Sequence, residues 1–337
     1  MPINRDDVVA GYRFILGRDP ESDAAIGAHS DLPDIATLRR RLMSSREFLE
    51  RHALDLDPRD ATDADPERPA VVFLHIPKCA GTSLHMALMA HFADTACPER
   101  HNGLANWPAG ALGRCRFFSG HFDFPSLRLI PGHKVSVVTL LRRPAERLVS
   151  LYRFLRAHPP AAAAADGAGG RLAALARRLD PVAFFRHEAL ARHPAINNAI
   201  VRQLSGPLPQ KRWDALDPAA AYGAAPADRA PEQALATAQI NLMTMAAFGL
   251  VEHMDLSVAR IFAALGLPAP GSIAHFQVTD RIAQEHPALE AVDPVPLGPA
   301  LAEALAPHTT LDDRLYAAAA ARFGTAAAAA PRTEAVA

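Results

Sequence analysis

The stretch from Val71 to Met86 reads V-V-F-L-H-I-P-K-C-A-G-T-S-L-H-M, and the expected fold is built outward from it. It begins with a short run of β-branched, aromatic and aliphatic side chains, which predicts a buried parallel strand. Pro77 ends this run. The leucines that follow recur at helical spacing, so the stretch predicts a strand, a loop and a helix.

The loop between this strand and helix is suited to an anion. Gly81 allows a tight turn and a close approach of the backbone, and Thr82 or Ser83 is expected to cap the helix. Such a turn directs several backbone N–H groups at one point, at the positive end of the helix, which predicts a phosphate or sulfate site. Lys78 adds a mobile positive charge beside it. The alternative is an ordinary turn of an α/β protein.

The order of residues in the loop separates two kinds of nucleotide site. A Walker A loop for ATP needs G-x-x-x-x-G-K-[ST], with its lysine after the second glycine. Here Lys78 precedes Gly81 and no earlier glycine opens the loop, which disfavours ATP.

Instead, P-K-C-A-G-T-S resembles the 5′-phosphosulfate loop of sulfotransferases. The longer string H-I-P-K-C-A-G-T-S-L is very close to the form found in the Golgi-type carbohydrate sulfotransferases and their bacterial relatives. The resemblance implies that the co-substrate is 3′-phosphoadenosine 5′-phosphosulfate (PAPS). It also implies that the loop residues bind this co-substrate: Lys78, Cys79, Ala80, Gly81, Thr82 and Ser83.

A second motif follows the apolar run Lys134 to Leu141, which predicts a central strand. The motif L-R-R-P-A-E-R-L-V-S-L-Y places Arg142 at the carboxyl end of that strand, where ligands bind in open α/β sheets. Arg142 together with Ser150 resembles the 3′-phosphate site of sulfotransferases, and an arginine fork suits a phosphate dianion. The alternative is an amphipathic helix with solvated arginines, and Arg143 and Arg147 are expected to be solvated or ion-paired with Glu146.

The rest of the chain alternates strands and helices. Strands are predicted at Arg116 to Ser119 and Ala247 to Val251, and helices at Pro181 to Leu190 and Ala195 to Leu204, while Asp255 is expected to cap a further helix. This alternation implies a parallel sheet flanked by helices. The expected fold class is α/β, a P-loop-like three-layer sandwich with a central parallel sheet, preceded by a small all-helical module.

Three later segments are also similar to the sulfotransferase family: N-N-A-I-V-R-Q-L-S-G, F-G-L-V-E and L-D-D-R-L-Y, the last in the final helix. In the first of them, Arg202 and Gln203 either line a site or belong to a surface helix.

Composition divides the chain into four parts. Residues 1–55 are expected to form a small helical module, 56–69 an acidic and proline-rich linker, 70–324 the domain that the resemblance identifies as a PAPS-dependent sulfotransferase domain, and 325–337 a flexible alanine-rich tail. The pieces L-G-R-D-P and S-S-R-E-F-L resemble a helical module attached to bacterial glycan-handling and secreted proteins. The alternative is a helical cap that packs on the main domain.

Charge and cysteine content exclude several classes of partner. The formal net charge is −1, so bulk charge favours neither nucleic acid nor a membrane surface. The three cysteines lack metal-ligand spacing, which predicts free thiols and no metal site.

No signal peptide and no membrane span are recognised, so the expected location is the cytoplasm. The abundance of arginine and alanine suggests a bacterial genome.

Sulfuryl transfer also needs a base for the acceptor hydroxyl. His121, in S-G-H-F-D-F, resembles the G-H segment of the uronyl sulfotransferases, whose histidine is assigned as base. Neutral imidazole near pH 7 suits this role. His75 is the rival, or else a buried histidine that orients the loop. Lys78 is expected to meet the leaving oxygen, and Asp123 either orients the histidine or belongs to a turn.

The expected function is transfer of a sulfuryl group from PAPS to a hydroxyl of a carbohydrate or glycoconjugate. Four arginines flank the proposed base and either attract an acidic glycan or are solvated: Arg100, Arg114, Arg116 and Arg128. Two alternatives stay open. One is a non-catalytic PAPS-fold module for glycan binding or scaffolding. The other is an ATP-dependent kinase, which needs Mg²⁺ and an acidic ligand, for which Asp123 is the one candidate.

Overall fold

The computed structural model describes residues 3–43, 45, 47–48, 69–97, 104, 112–130, 134–159, 170–206, 230–271 and 289–329. The chain divides into two compact units. The first unit takes in Met1–Arg68, Gly103–Cys115 and Ser126–Lys134, and the second takes in Pro69–Asn102, Arg116–Pro125 and Val135–Ala337.

The N-terminal part of the first unit is helical, as predicted. Its elements are α1 (Arg5–Gly11), a π-helical turn (Tyr12–Leu16), α2 (Asp23–Gly27) and α3 (Ile35–Met43). Their apolar faces share one core that includes Val8, Leu16, Leu38 and Leu42. The predicted linker, 56–69, lies outside the described residues except for Pro69, so the domain boundaries stay a prediction.

The second unit is built on a parallel sheet. Its strands are β1 (Ala70–Leu74), β2 (Phe117–Gly120), β3 (Val135–Leu141) and β4 (Ala247–Leu250). All described pairs are parallel, in the order β2-β1-β3-β4. Every residue of β1 is buried, because β1 lies between two strands and both of its faces are covered. The predicted α/β fold with a central parallel sheet is therefore confirmed, and β3 is central as expected.

Helices flank this sheet. They are α4 (Gly81–Met89), α5 (Pro144–Arg156), α6 (Gly170–Arg178), α7 (Pro181–Arg186), α8 (Ala199–Ser205), α9 (Pro231–Thr244), α10 (Met254–Ala264) and α11 (Pro299–Ala329), with 3₁₀ turns at Ala93–Thr95, Phe124–Leu129, Glu188–Leu190 and Val251–His253. Leu148, Leu151 and Leu155 of α5 are buried in one apolar cluster with residues of α6, α7 and α11. No helix in the described part of the chain is long and apolar enough to cross a membrane.

Some predicted boundaries were wrong. The helix expected over Ala195 to Leu204 begins only at Ala199, because Asn198 adopts a left-handed conformation with φ 47°. The helix expected at Pro181 to Leu190 ends at Arg186 and is followed by a separate 3₁₀ turn. Asp255 does not cap α10, since His253 is the N-cap and no side chain bonds there.

The final helix holds the N-terminus of α8. The Asp312 carboxylate accepts hydrogen bonds from the backbone N–H groups of Ile200 and Val201, at 3.2 and 2.8 Å. In return, Asn198 Oδ1 accepts from the backbone of Leu311 at 2.8 Å. The two segments therefore satisfy each other's backbone donors.

Arg147 supplies a positive charge near this contact. Its side chain is only 1% exposed, so the expectation that Arg147 is solvated was wrong. Burial raises the pKa of Asp312 to about 6, against the opposing effects of Arg147 and the two N–H donors. Asp312 is therefore ionised at pH 7.5, and its charge compensates that of Arg147 inside the protein.

We expect Asp312→Ala to destabilise the protein by about 3–5 kcal/mol at pH 7.5, because it leaves a buried arginine without a counter-charge. Urea unfolding followed by circular dichroism measures this change. Glu303→Ala, which removes an exposed carboxylate of the same helix and its surface ion pair with Arg186, is the control and should cost less than about 1 kcal/mol. Equal losses in the two variants would contradict the role assigned to Asp312.

Candidate active site

Three neighbouring strands place their carboxyl ends at one edge of the sheet. Lys78 lies in the loop after β1, His121 directly follows β2, and Arg142 directly follows β3. Because β1 is paired with both β2 and β3, its loop lies between the other two. This edge is where open α/β sheets bind ligands.

The loop after β1 has an unusual backbone. Lys78 and Ala80 both have positive φ angles, 69° and 51°, although neither is glycine. Such left-handed positions cost energy for residues with a Cβ, and they recur where a backbone forms an anion-binding concavity. Cys79, between them, donates its N–H to the carbonyl of Ile76 at 3.3 Å, which closes the turn.

The helix after the loop begins without a side-chain cap. Ala80 is the N-cap, so the prediction that Thr82 or Ser83 caps the helix was wrong; both lie inside its first turn. The first N–H groups of a helix have no acceptor within the helix and carry a partial positive charge. The start of α4 at Gly81 and Thr82 therefore presents donors to an anion at the loop.

Gly81 is required by its neighbour and not by its own backbone angle. A Cβ at this position would lie 2.1 Å from Cδ2 and Nε2 of the His75 ring. That ring is only 7% exposed and stacks on Phe73 with 5.2 Å between centroids. The predicted close approach at Gly81 is present, and His75 is packed beneath the loop.

Lys78 lies against α5. Its Nζ is 4.0 Å from the ring centroid of Phe154, a cation–π contact. Burial lowers the pKa of Lys78 to about 8, and the positive charge of Arg142 adds to the lowering. A bound anion would offset both effects, because it favours the charged ammonium group.

Cys79 is fully buried. Burial raises the pKa of its thiol to about 12, so the sulfur stays protonated near neutral pH. Because the thiolate is the reactive form, this side chain is not a nucleophile there.

Arg142 is brought to the loop, as its position after β3 predicts. Its guanidinium NH1 lies 3.5 Å from the carbonyl oxygen of Lys78, and its Nε lies 3.7 Å from Glu146. Ser150 is buried on α5, one turn before Phe154, the residue that covers Lys78. The structure therefore places Lys78 and Arg142 together, with α5 beside them.

A hydrogen bond to the backbone orients His121. Its Nδ1 lies 2.8 Å from the carbonyl oxygen of His75, and the two rings are 4.4 Å apart between centroids. A carbonyl oxygen can only accept, so Nδ1 carries the proton. In the neutral ring Nε2 then keeps its lone pair.

The sequence left open whether Gln203 lines a site or belongs to a surface helix. It is buried on α8, and its Nε2 donates to the carbonyls of His75 and Phe122 at 3.1 and 3.0 Å. Arg202 instead bonds the backbone carbonyl of Asn197 at 2.8 Å. The helical period could have separated them, since Gln203 lies on the same face as Ala199 and Ile200, which are buried.

The remaining candidates are less informative. Asp123 is buried. Arg100 lies outside the described residues, and Arg114 and Arg128 belong to the first unit. Within the described residues, no group of three His, Cys, Asp or Glu side chains is arranged to hold a metal ion.

Comparison with known proteins gives one distant similarity. No family model matches the chain. A protein-tyrosine sulfotransferase of Arabidopsis thaliana is 26% identical to it over 129 residues, which is 38% of this chain and 24% of the relative. The chain therefore matches about a quarter of that relative's length. The similarity supports a sulfotransferase-type relationship.

We expect Gly81→Ala to displace the His75 ring and to destabilise the protein by about 1–3 kcal/mol, the usual cost of overpacking. The imidazole resonances of His75 and His121 should shift with it. Denaturant unfolding and NMR measure the two effects. Gly298→Ala is the control, because a Cβ there has no neighbour within 4 Å. If both alanine variants unfold like wild type, the close packing at Gly81 does not contribute to the stability of the protein.

Proposed function

We propose that the protein is a sulfotransferase that moves a sulfuryl group from PAPS to the hydroxyl of an acceptor. The observation that carries this proposal is the convergence of Lys78, Arg142 and His121 at one edge of the sheet, around a left-handed loop that leads into a helix N-terminus. The distant sulfotransferase relative supports the same reaction class.

The loop and the segment that begins α5 bind opposite ends of the co-substrate. The 5′-phosphosulfate binds at the first turn of α4, where backbone donors, Thr82 and Ser83 surround it beside Lys78. Arg142 and Ser150 hold the 3′-phosphate, which an arginine recognises through paired, charge-assisted hydrogen bonds. Binding at both ends fixes the sulfur in position for attack.

The transfer is an in-line displacement. The acceptor oxygen forms a bond to sulfur while the bond from sulfur to the bridging phosphate oxygen breaks, and the leaving oxygen takes the electron pair. Lys78 and the helix N-terminus stabilise the charge that develops on that oxygen. His121 Nε2 takes the acceptor proton, and its Nδ1–H stays on the His75 carbonyl.

This assignment gives the two histidines different roles. His75 is packed between Phe73 and Gly81 and supports the loop. His121 is only partly buried and keeps a lone pair on Nε2, so it is the better base.

The acceptor is a hydroxyl of a carbohydrate or glycoconjugate, by the resemblance of the loop to the carbohydrate sulfotransferases. A phenolic hydroxyl is the second candidate, because the relative is named for tyrosine. An acceptor screen should therefore contain neutral and acidic glycosides together with tyrosyl peptides.

Single alanine substitutions should separate the proposed roles. His121→Ala should lower turnover about 10²–10⁴-fold with normal nucleotide binding, since it removes the base. Lys78→Ala should lower turnover about 10²–10³-fold, because leaving-group stabilisation is lost. Arg142→Ala should weaken binding of adenosine 3′,5′-bisphosphate about 10–100-fold, through lost charge-assisted bonds. Release of the bisphosphate from PAPS and calorimetry measure these effects.

One lysine variant and one arginine variant are the controls for this series. Lys134→Ala and Arg143→Ala remove exposed charges and should leave turnover and binding close to wild type. Bisphosphate binding without any acceptor-dependent turnover in the wild type would favour a non-catalytic binding module. Wild-type turnover in His121→Ala would overturn the base assignment.

Nucleotide affinity should also depend on pH through Lys78. Its pKa of about 8 in the free protein means that the ammonium is charged below this pH and loses its proton above it. A bound anion raises this pKa, so binding takes up a proton and affinity falls as pH rises from 7 to 9. Calorimetry with the bisphosphate at several pH values measures the slope. The slope should vanish in Lys78→Ala, and an unchanged slope there would assign the proton to another group.

A further inference from the structure

The side chain of Gln203 joins two chain segments where the sheet ends. The ladder between β1 and β2 closes with the pair Leu74–Gly120, and His75 N–H still donates to the Gly120 carbonyl at 2.9 Å. His75 and Phe122 lie just beyond this ladder. Gln203 Nε2 bonds the carbonyl of His75 on one segment and of Phe122 on the other, at 3.1 and 3.0 Å.

The chemistry of these contacts fixes the amide orientation. Carbonyl oxygens accept and do not donate, so the NH₂ group of Gln203 must face them with both of its hydrogens. The side chain is 2% exposed, and water does not replace these donors easily. Gln203 is therefore a buried donor to both carbonyls.

One of these carbonyls also holds the proposed base. The His75 oxygen accepts from His121 Nδ1 at 2.8 Å as well as from Gln203 at 3.1 Å, which uses its two lone pairs. The second carbonyl belongs to Phe122, which directly follows His121. Gln203 thus fixes both the acceptor of the ring's hydrogen bond and the backbone next to the ring.

The helix that carries Gln203 is itself anchored. Asp312 accepts from the backbone of Ile200 and Val201 in the first turn of α8, and Asn241 donates to the Leu204 carbonyl at 2.7 Å. Gln203 lies between these two contacts. Its carboxamide therefore reaches His75 from a helix that is fixed on both sides.

We propose that Gln203 is a positioning residue for transfer: it holds His121 in the orientation and tautomer in which Nε2 receives the acceptor proton. This role rests on the proposed function, because it requires that His121 is the base. Gln203 does not touch the reacting atoms. It acts through the carbonyls of His75 and Phe122, and without its donors the backbone on both sides of the His121 ring is held less firmly.

The test compares two variants that remove the pair of donors at nearly constant length, Gln203→Met and Gln203→Glu. In either variant that folds, turnover of PAPS at saturating substrate should fall about tenfold to hundredfold, the cost of a misplaced catalytic group. Affinity for adenosine 3′,5′-bisphosphate should stay within about twofold, since the loop and Arg142 are untouched. Gln233→Met, an exposed glutamine on α9, is the matched control and should behave like wild type.

A second measurement does not depend on turnover. Nitrogen-15 NMR at pH 8 should show His121 as the Nδ1–H tautomer in the wild type and in Gln233→Met, and as a mixture of tautomers in the Gln203 variants. An Nε2–H tautomer in the wild type, or an unchanged tautomer and unchanged turnover in both Gln203 variants, would overturn the proposal.

The two measurements also separate this proposal from the proposed function. A tautomer change in the Gln203 variants, with no PAPS turnover in any protein, would support the positioning role and reject sulfuryl transfer. Normal turnover in the Gln203 variants would reject the positioning role and leave sulfuryl transfer standing.

Discussion

The rest of the site depends on the contacts of His75. Its carbonyl oxygen accepts from His121 and Gln203, its N–H continues the ladder to β2, and its ring fills the space that a side chain at Gly81 would occupy. His75 thus connects the loop after β1, the proposed base His121 and α8. A histidine next to such a loop can therefore act as a support, which is the role that we propose for His75.

The electrostatics of the site follow from the same arrangement. Lys78 and Arg142 are held close together, and burial with like charge lowers the pKa of Lys78. Two cations near each other repel, and a bound anion would relieve this repulsion. Asp312 of α11 bonds the first turn of α8 and interacts favourably with the buried charge of Arg147 on α5, which links these three helices.

The sequence predicted the parts of the fold that local patterns determine. The apolar runs at β1 and β3 and the motifs after them predicted the central parallel sheet with Lys78 and Arg142 at its edge, and the strand predicted at Arg116 to Ser119 placed His121 just after it. Features set by distant contacts were missed. Arg147 looked solvated because its partner Asp312 is far away in the chain, and the left-handed Asn198 is stabilised by backbone groups of α11. The helix cap was misplaced because the Ala80 backbone, and no hydroxyl, starts α4.

The most direct test of this account is a binding measurement by calorimetry without Mg²⁺, comparing adenosine 3′,5′-bisphosphate with ATP on the wild-type protein. A site with cations for a 3′-phosphate and a loop for a 5′-phosphate should bind the bisphosphate at least about tenfold more tightly, because ATP has no 3′-phosphate for Arg142. Equal affinities, or ATP binding that appears only when Mg²⁺ is added, would contradict the account and favour a kinase.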